Sequence, residues 1–187
     1  MTILNSSDEI KKGEDDLINN HDDFRIFGLI IFLIADGMTF AGFFAAYLTY
    51  KAVNPLPEGS LYELELAIPT LNTIILLISS ATFHKAGKAL INQKNDLSQK
   101  WLLITASLGI TFLICQLFEY FNLPFGLTDN LFASTFYALT GFHGLHVTLG
   151  TLMILIISWQ TRINGGRITY KNMFPLEAVE LYWHFVD

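Results

Sequence analysis

The sequence predicts an all-α fold, a polytopic membrane bundle of five transmembrane helices with the last one incomplete in the chain. Three observations carry this. Four apolar runs each exceed the roughly 20 residues that cross a ~30 Å hydrocarbon core at 1.5 Å per residue, and a fifth begins before the last residue. Of 187 residues, 52% are hydrophobic and only 15% charged, whereas soluble domains carry about 25% charge. The basic residues, finally, gather in alternate loops.

Taken in order, the chain opens on an acidic segment with Asp8, Glu9, Glu14, Asp15, Asp16, Asp22 and Asp23. So little apolar area cannot offset the entropy of ordering, so residues 1–23 are expected to form a mobile tail that holds much of the net charge of -6. Residues 24–187 are the membrane domain. The first run, Ile26 to Tyr50, is too long and starts too late for a cleavable signal peptide. Within it Gly37, Ala41 and Ala45 form a small-residue stripe, with Gly42 and Ala46 beside it, that lets helix backbones approach closely in lipid.

The next runs are Ala67 to Leu90, Trp101 to Phe121 and Leu131 to Gln160. Turn-forming residues separate them, at Asn54-Pro55-Leu56-Pro57-Glu58-Gly59, at Asn122-Leu123-Pro124-Phe125-Gly126 and at Asn164-Gly165-Gly166. The fifth run starts near Phe174 and reaches only about 21 Å by Asp187, so the natural chain is expected to continue. Pro175 suits the first turn of that helix, where its missing N–H costs nothing. Lys11, Lys12, Arg25, Lys85, Lys88, Lys94, Lys100, Arg162, Arg167 and Lys171 fall on one side of the membrane, and only Lys51 on the other. The positive-inside rule then places the N-terminus in the cytoplasm.

Several classes are disfavoured. The single Cys115 offers no disulfide framework or cysteine metal site. The 11 lysines and arginines are dispersed, with no basic patch for nucleic acid. There is no internal repeat of the kind that builds inverted-repeat transporters.

Ionisable groups inside the spans are where function is to be sought. Asp36 lies near the middle of span one, where an Asp costs about 2.5–3.5 kcal/mol on insertion scales. It is either a proton-handling or subunit-contact carboxyl, or a structural hydrogen-bonding group. Glu119, near the outer end of span three, is an interfacial or a specific contact group. His143 and His146 share a face of span four beside Gly141, Gly144 and Gly150. A two-histidine set is short of the three or four ligands that a metal centre wants, so interhelix hydrogen bonding or packing is the expectation. Glu177, Glu180, His184 and Asp187, at steps of three, four and three, form one stripe directed into the bundle or at a partner.

Thr140-Gly141-Phe142-His143-Gly144-Leu145-His146-Val147 with Gly150, followed by Tyr182-Trp183-His184-Phe185-Val186-Asp187, resembles the paired signatures of subunit III of the haem-copper terminal oxidases. Further agreement runs through Phe40 to Tyr47, Pro69-Thr70-Leu71-Asn72-Thr73, and Glu119-Tyr120 ahead of Pro124-Phe125. The resemblance covers nearly all of 24–187 and points to the shorter bacterial type of cytochrome c oxidase subunit III, with five rather than seven spans.

What the resemblance implies is a non-catalytic subunit of an enzyme that reduces dioxygen to water and contributes to the proton gradient. It would hold no haem and no copper, which belong to partner subunits I and II. It would pack on subunit I, bind phospholipid, and support proton uptake and the durability of the enzyme. The membrane would be a bacterial cell membrane or an internal respiratory or thylakoid membrane. Asp36 falls where the family commonly carries a buried, carbodiimide-reactive Glu, one methylene longer. Subunit III of a quinol oxidase is the alternative within the family; an independent proton-coupled carrier is the alternative outside it.

Overall fold

The computed structural model describes residues 6–53, 67–162, 168 and 172–187, and for 6–23, 67–68 and 162 that description is of the backbone. The loops at Asn54 to Gly59 and Asn164 to Gly166 lie outside the described residues. Among the described residues five helices follow one another: α1 Ser6–Val53, α2 Ala67–Ile91, α3 Asn95–Asn122, α4 Leu131–Arg162 and α5 Phe174–Val186. Four contain stretches long and apolar enough to cross a membrane: Phe24–Val53, Pro69–Ile91, Asn95–Asn122 and Leu131–Thr161. The chain divides into two compact units, Met1–Gly37 and Met38–Asp187.

In the first unit the backbone is helical from Ser6, within the segment whose composition suggested a mobile tail. From Phe24 onward the helix exposes Phe24, Phe27, Ile31, Phe32 and Ile34. A helix satisfies its own backbone groups, so such an apolar exterior fits lipid.

In the second unit α2 pairs with α3, α3 with α4, and α5 packs on both α4 and α2. Leu71, Leu77, Ile114, Phe118, Leu152 and Ile156 point outward. The interior is built from Phe83 and Leu90 of α2, Leu102 and Phe112 of α3, Val147 and Ile154 of α4, and Leu176 and Trp183 of α5. Lipid tails are as apolar as these side chains, so close packing and interhelix hydrogen bonds hold the bundle more than burial from water does. The later part of α1 joins through rings: Phe40 and Phe43 lie 5.0 and 5.6 Å from Phe142, and Tyr47 lies 5.4 Å from Phe132. A second cluster of Phe125, Phe132 and Ala133 pins the α3–α4 connection. There Asn130 Oδ1 caps α4 by accepting from the Ala133 N–H at 2.7 Å.

Helix α3 begins at Asn95, six residues ahead of the apolar run that starts at Trp101. Hydropathy marks the part of a helix in lipid, while hydrogen bonding carries the helix on into water. At 28 residues, α3 is about 42 Å long and its polar first turns project past the hydrocarbon. Lys85 Nζ lies 4.8 Å from the Trp101 ring, an amphipathic pair of the sort that collects at the membrane–water interface.

Only Asn92, Gln93 and Lys94 join α2 to α3. Lys94 N–H donates to Ala89 C=O and Gln93 N–H to Leu90 C=O, both at 2.9 Å, the two bonds of a Schellman motif. Gln93 sits at the left-handed position with φ 57°, where glycine is the usual occupant. Gln93→Gly is therefore expected to raise stability by about 1 kcal/mol, read as a higher midpoint in thermal unfolding in detergent.

Candidate functional site

The site is built on the placement of α5, and Trp183 sets that placement. Its side chain is fully buried, and its Nε1–H donates to Ser79 Oγ of α2 at 2.9 Å. A Cβ placed on Gly109 of α3 would come within 2.9 Å of the indole, and one on Gly150 of α4 within 2.7 Å. Both are below real Cβ contact distances, so the indole is seated between two bare backbone positions. One side chain thus ties α5 to α2, α3 and α4. Ser79→Ala is expected to leave the indole N–H without this partner and cost about 1–2 kcal/mol, measured as a lowered unfolding midpoint.

Around this anchor lie hydroxyl links of the kind that join helices in lipid. Ser79 Oγ itself donates back within α2 to Leu76 C=O at 2.6 Å. The Thr82 and Thr105 hydroxyls meet at 2.8 Å between α2 and α3. On the far half, Gln116 Nε2 donates to Thr140 C=O at 2.8 Å, and the Tyr120 and Thr140 hydroxyls meet at 2.6 Å. Gly144 leaves room for Gln116, whose Oε1 would stand 2.7 Å from any Cβ there.

With α5 so fixed, three of its four stripe residues reach α2 or its neighbours. Glu180 Oε1 lies 3.2 Å from His84 Nδ1 of α2 and 3.7 Å from His184 Nε2, one turn along α5. His184 Nδ1 is 2.7 Å from Ser80 Oγ, and the Ser80 hydroxyl donates to Asp187 Oδ2. Gly87 faces Glu180, whose Oε2 would lie 3.3 Å from a Cβ placed there. Glu177 is exposed.

A cavity of about 310 Å³ opens between α2, α3 and α4, and Glu119, His143 and Asp187 all line it, with Asn72, Gln116 and Tyr120. Glu119, expected from the sequence to be an interfacial or a specific contact group, thus shares a wall with a histidine of span four and the Asp187 carboxylate at the end of α5. The two histidines of the His-x-x-His pair have different neighbours. His143 meets the Phe112 ring edge-on at 5.5 Å. His146 is buried, its Nδ1 lies 2.7 Å from Phe142 C=O, and its ring contacts Phe40 at 5.2 Å and Tyr182 at 6.4 Å. Asp36 belongs to the first unit, mid-helix on α1 and half-buried.

Among the described residues no three His, Cys, Asp or Glu side chains are grouped to hold a metal ion. Sequence reasoning missed Ser80 and His84 as partners of the α5 stripe. The signal was present: Ser80, His84 and Gly87 stand at steps of four and three, the same helical spacing that singled out the stripe on α5.

A family model described as "Cytochrome c oxidase subunit III" matches residues 14–187. Among curated relatives, the cytochrome c oxidase subunit 3 of a Synechocystis species is 52% identical over 171 residues, covering 90% of this chain and 72% of that protein. The Thermostichus vulcanus protein of the same name is 44% identical over 176 residues, covering 92% and 85%. The Mus musculus protein is 37% identical over 169 residues, covering 86% of this chain and 64% of its own length. The chain accordingly spans less than two thirds of the mouse relative and more of the other two. The matched region includes every helix of the second unit and both signature segments, Thr140 to Gly150 and Tyr182 to Asp187, whose glycines and tryptophan set the packing of α5. The chain belongs to the cytochrome c oxidase subunit III family.

Proposed function

We propose that this chain is the non-catalytic membrane subunit III of a cytochrome c oxidase, the complex that reduces dioxygen to water and contributes to the proton gradient. The observation that carries the reading is the family match over residues 14–187, supported by relatives that all bear the cytochrome c oxidase name. The haem and copper centres belong to the partner subunits I and II, and this chain supplies packing surface, phospholipid contacts and support of proton uptake. The membrane is a bacterial cell membrane or an internal respiratory or thylakoid one, with the N-terminus in the cytoplasm, in line with the distribution of lysine and arginine. Glu119, His143, His146, Glu177, Glu180, His184 and Asp187 serve interhelix, lipid or subunit contacts, and Asp36 is the carboxyl that aids proton uptake.

Affinity purification of the chain in mild detergent, followed by an optical spectrum, tests the assignment. A haem-containing partner is expected to accompany it, and a preparation free of haem would overturn the reading. Asp36→Asn is expected to leave assembly intact while proton uptake slows or the working lifetime of the enzyme shortens. Unchanged turnover and lifetime would make Asp36 a structural group.

A further inference from the structure

The geometry points to a proton relay within this chain, running between α2 and α5 from His84 through Glu180, His184 and Ser80 to Asp187. The assignment requires only that these helices lie in a membrane and does not depend on the oxidase partners.

Four contacts make the chain continuous. His84 Nδ1 and Glu180 Oε1 are 3.2 Å apart; Glu180 Oε1 and His184 Nε2 are 3.7 Å apart. His184 Nδ1 and Ser80 Oγ are 2.7 Å apart, and Ser80 Oγ donates to Asp187 Oδ2. His184 uses its two ring nitrogens on opposite sides, one toward Glu180 and one toward Ser80, which is the arrangement a shuttle needs. The 3.7 Å step exceeds a direct hydrogen bond and closes by a small rotation of two flexible side chains one turn apart or by one bridging water.

The two ends of the chain lie at different depths. His84 adjoins Lys85, whose ammonium stands over Trp101 at the level where polar and aromatic side chains meet interfacial water. The side chains of His84, Glu180 and His184 are 60%, 19% and 41% exposed, and Asp187 is half-buried. Ser80 lies one turn deeper on α2, and Asp187 lies about 10 Å along α5 from Glu180, on the wall of the cavity shared with Glu119 of α3 and His143 of α4. A set of ionisable groups at this depth in lipid is costly unless it has a use.

The transfer balances. As Nε2 of His84 takes up a proton, its Nδ1 proton passes to the Glu180 carboxylate, which gives a proton to the unprotonated Nε2 of His184. His184 releases its Nδ1 proton to Ser80 Oγ, and the Ser80 hydroxyl proton moves to Asp187 Oδ2. One proton has crossed, Asp187 has become a carboxylic acid, and His84 and His184 have each changed tautomer.

The test is time-resolved infrared spectroscopy of the protein in mild detergent, with whatever subunits it retains, after a rapid drop in pH. The Asp187 carboxylic-acid band is identified by its loss in Asp187→Asn. In the wild type this band is expected to rise after the jump. In His84→Phe, at an exposed position where folding is not at stake, and in Glu180→Gln, the rise is expected to slow on the order of 10²-fold, with partial recovery in Glu180→Asp. Equal rates in wild type and His84→Phe, or no Asp187 band at all, would overturn the relay. Either result leaves the haem co-purification outcome untouched, so the two proposals fail separately.

Discussion

Trp183→Ala is expected to lower the stability of the bundle by about 3–5 kcal/mol, the range for removing a large aromatic from a packed interior. The indole is fully buried, donates to Ser79 and fills the space above Gly109 and Gly150. Its loss removes contacts with three helices at once and leaves a void that lipid cannot enter. The loss is one of dispersion contacts and a hydrogen bond rather than of hydrophobic transfer, because the competing environment is itself apolar. Equilibrium unfolding in mixed micelles of mild detergent and dodecyl sulfate gives the value. A change under 1 kcal/mol would mean that α5 is held by something other than this ring.

The second large effect is the converse, overfilling. Gly150→Val is expected to cost about 3 kcal/mol or more, since a Cβ alone would approach indole carbons at 2.7 and 2.9 Å and the Tyr182 ring at 3.3 Å, and rigid rings on a helix cannot swing aside. The two sites share one contact, so their effects are not additive. With Trp183→Ala already present, Gly150→Ala is expected to be nearly neutral, although alone it is strongly destabilising. A double-mutant cycle of the alanine variants measures the coupling, and strictly additive values would show that the ring and the glycine do not meet.

These two residues also show what the sequence could and could not reveal. Helix number and most boundaries followed from apolar run length, because lipid imposes that length directly. The starts of α1 at Ser6 and of α3 at Asn95 did not, because both helices extend beyond the apolar run by hydrogen bonding rather than by hydropathy. Glu180, His184 and Asp187 were recognisable as one face from their spacing, but the face they meet could not be derived from α5 alone. That Ser80 and His84 supply it depends on the rotation of α2, which the Trp183–Ser79 contact sets. Gly150 stood out as part of a motif, yet only the packed indole explains why no side chain is admitted there. His143 and His146 looked equivalent by periodicity, whereas one lines a cavity and the other sits among Phe40, Phe142 and Tyr182, a difference of azimuth too small for spacing to resolve.

The three-residue turn at Asn92 to Lys94 bears on how the protein is made. So short a connection, closed by its own backbone bonds, keeps α2 and α3 side by side from the moment both have left the ribosome. The two helices are then expected to enter the bilayer as one antiparallel hairpin, with the Thr82 and Thr105 hydroxyls meeting during insertion instead of facing lipid alone. Lengthening that turn with a flexible spacer would decouple the two insertions, and the penalty would show in the yield of integrated protein rather than in the stability of what is finally assembled.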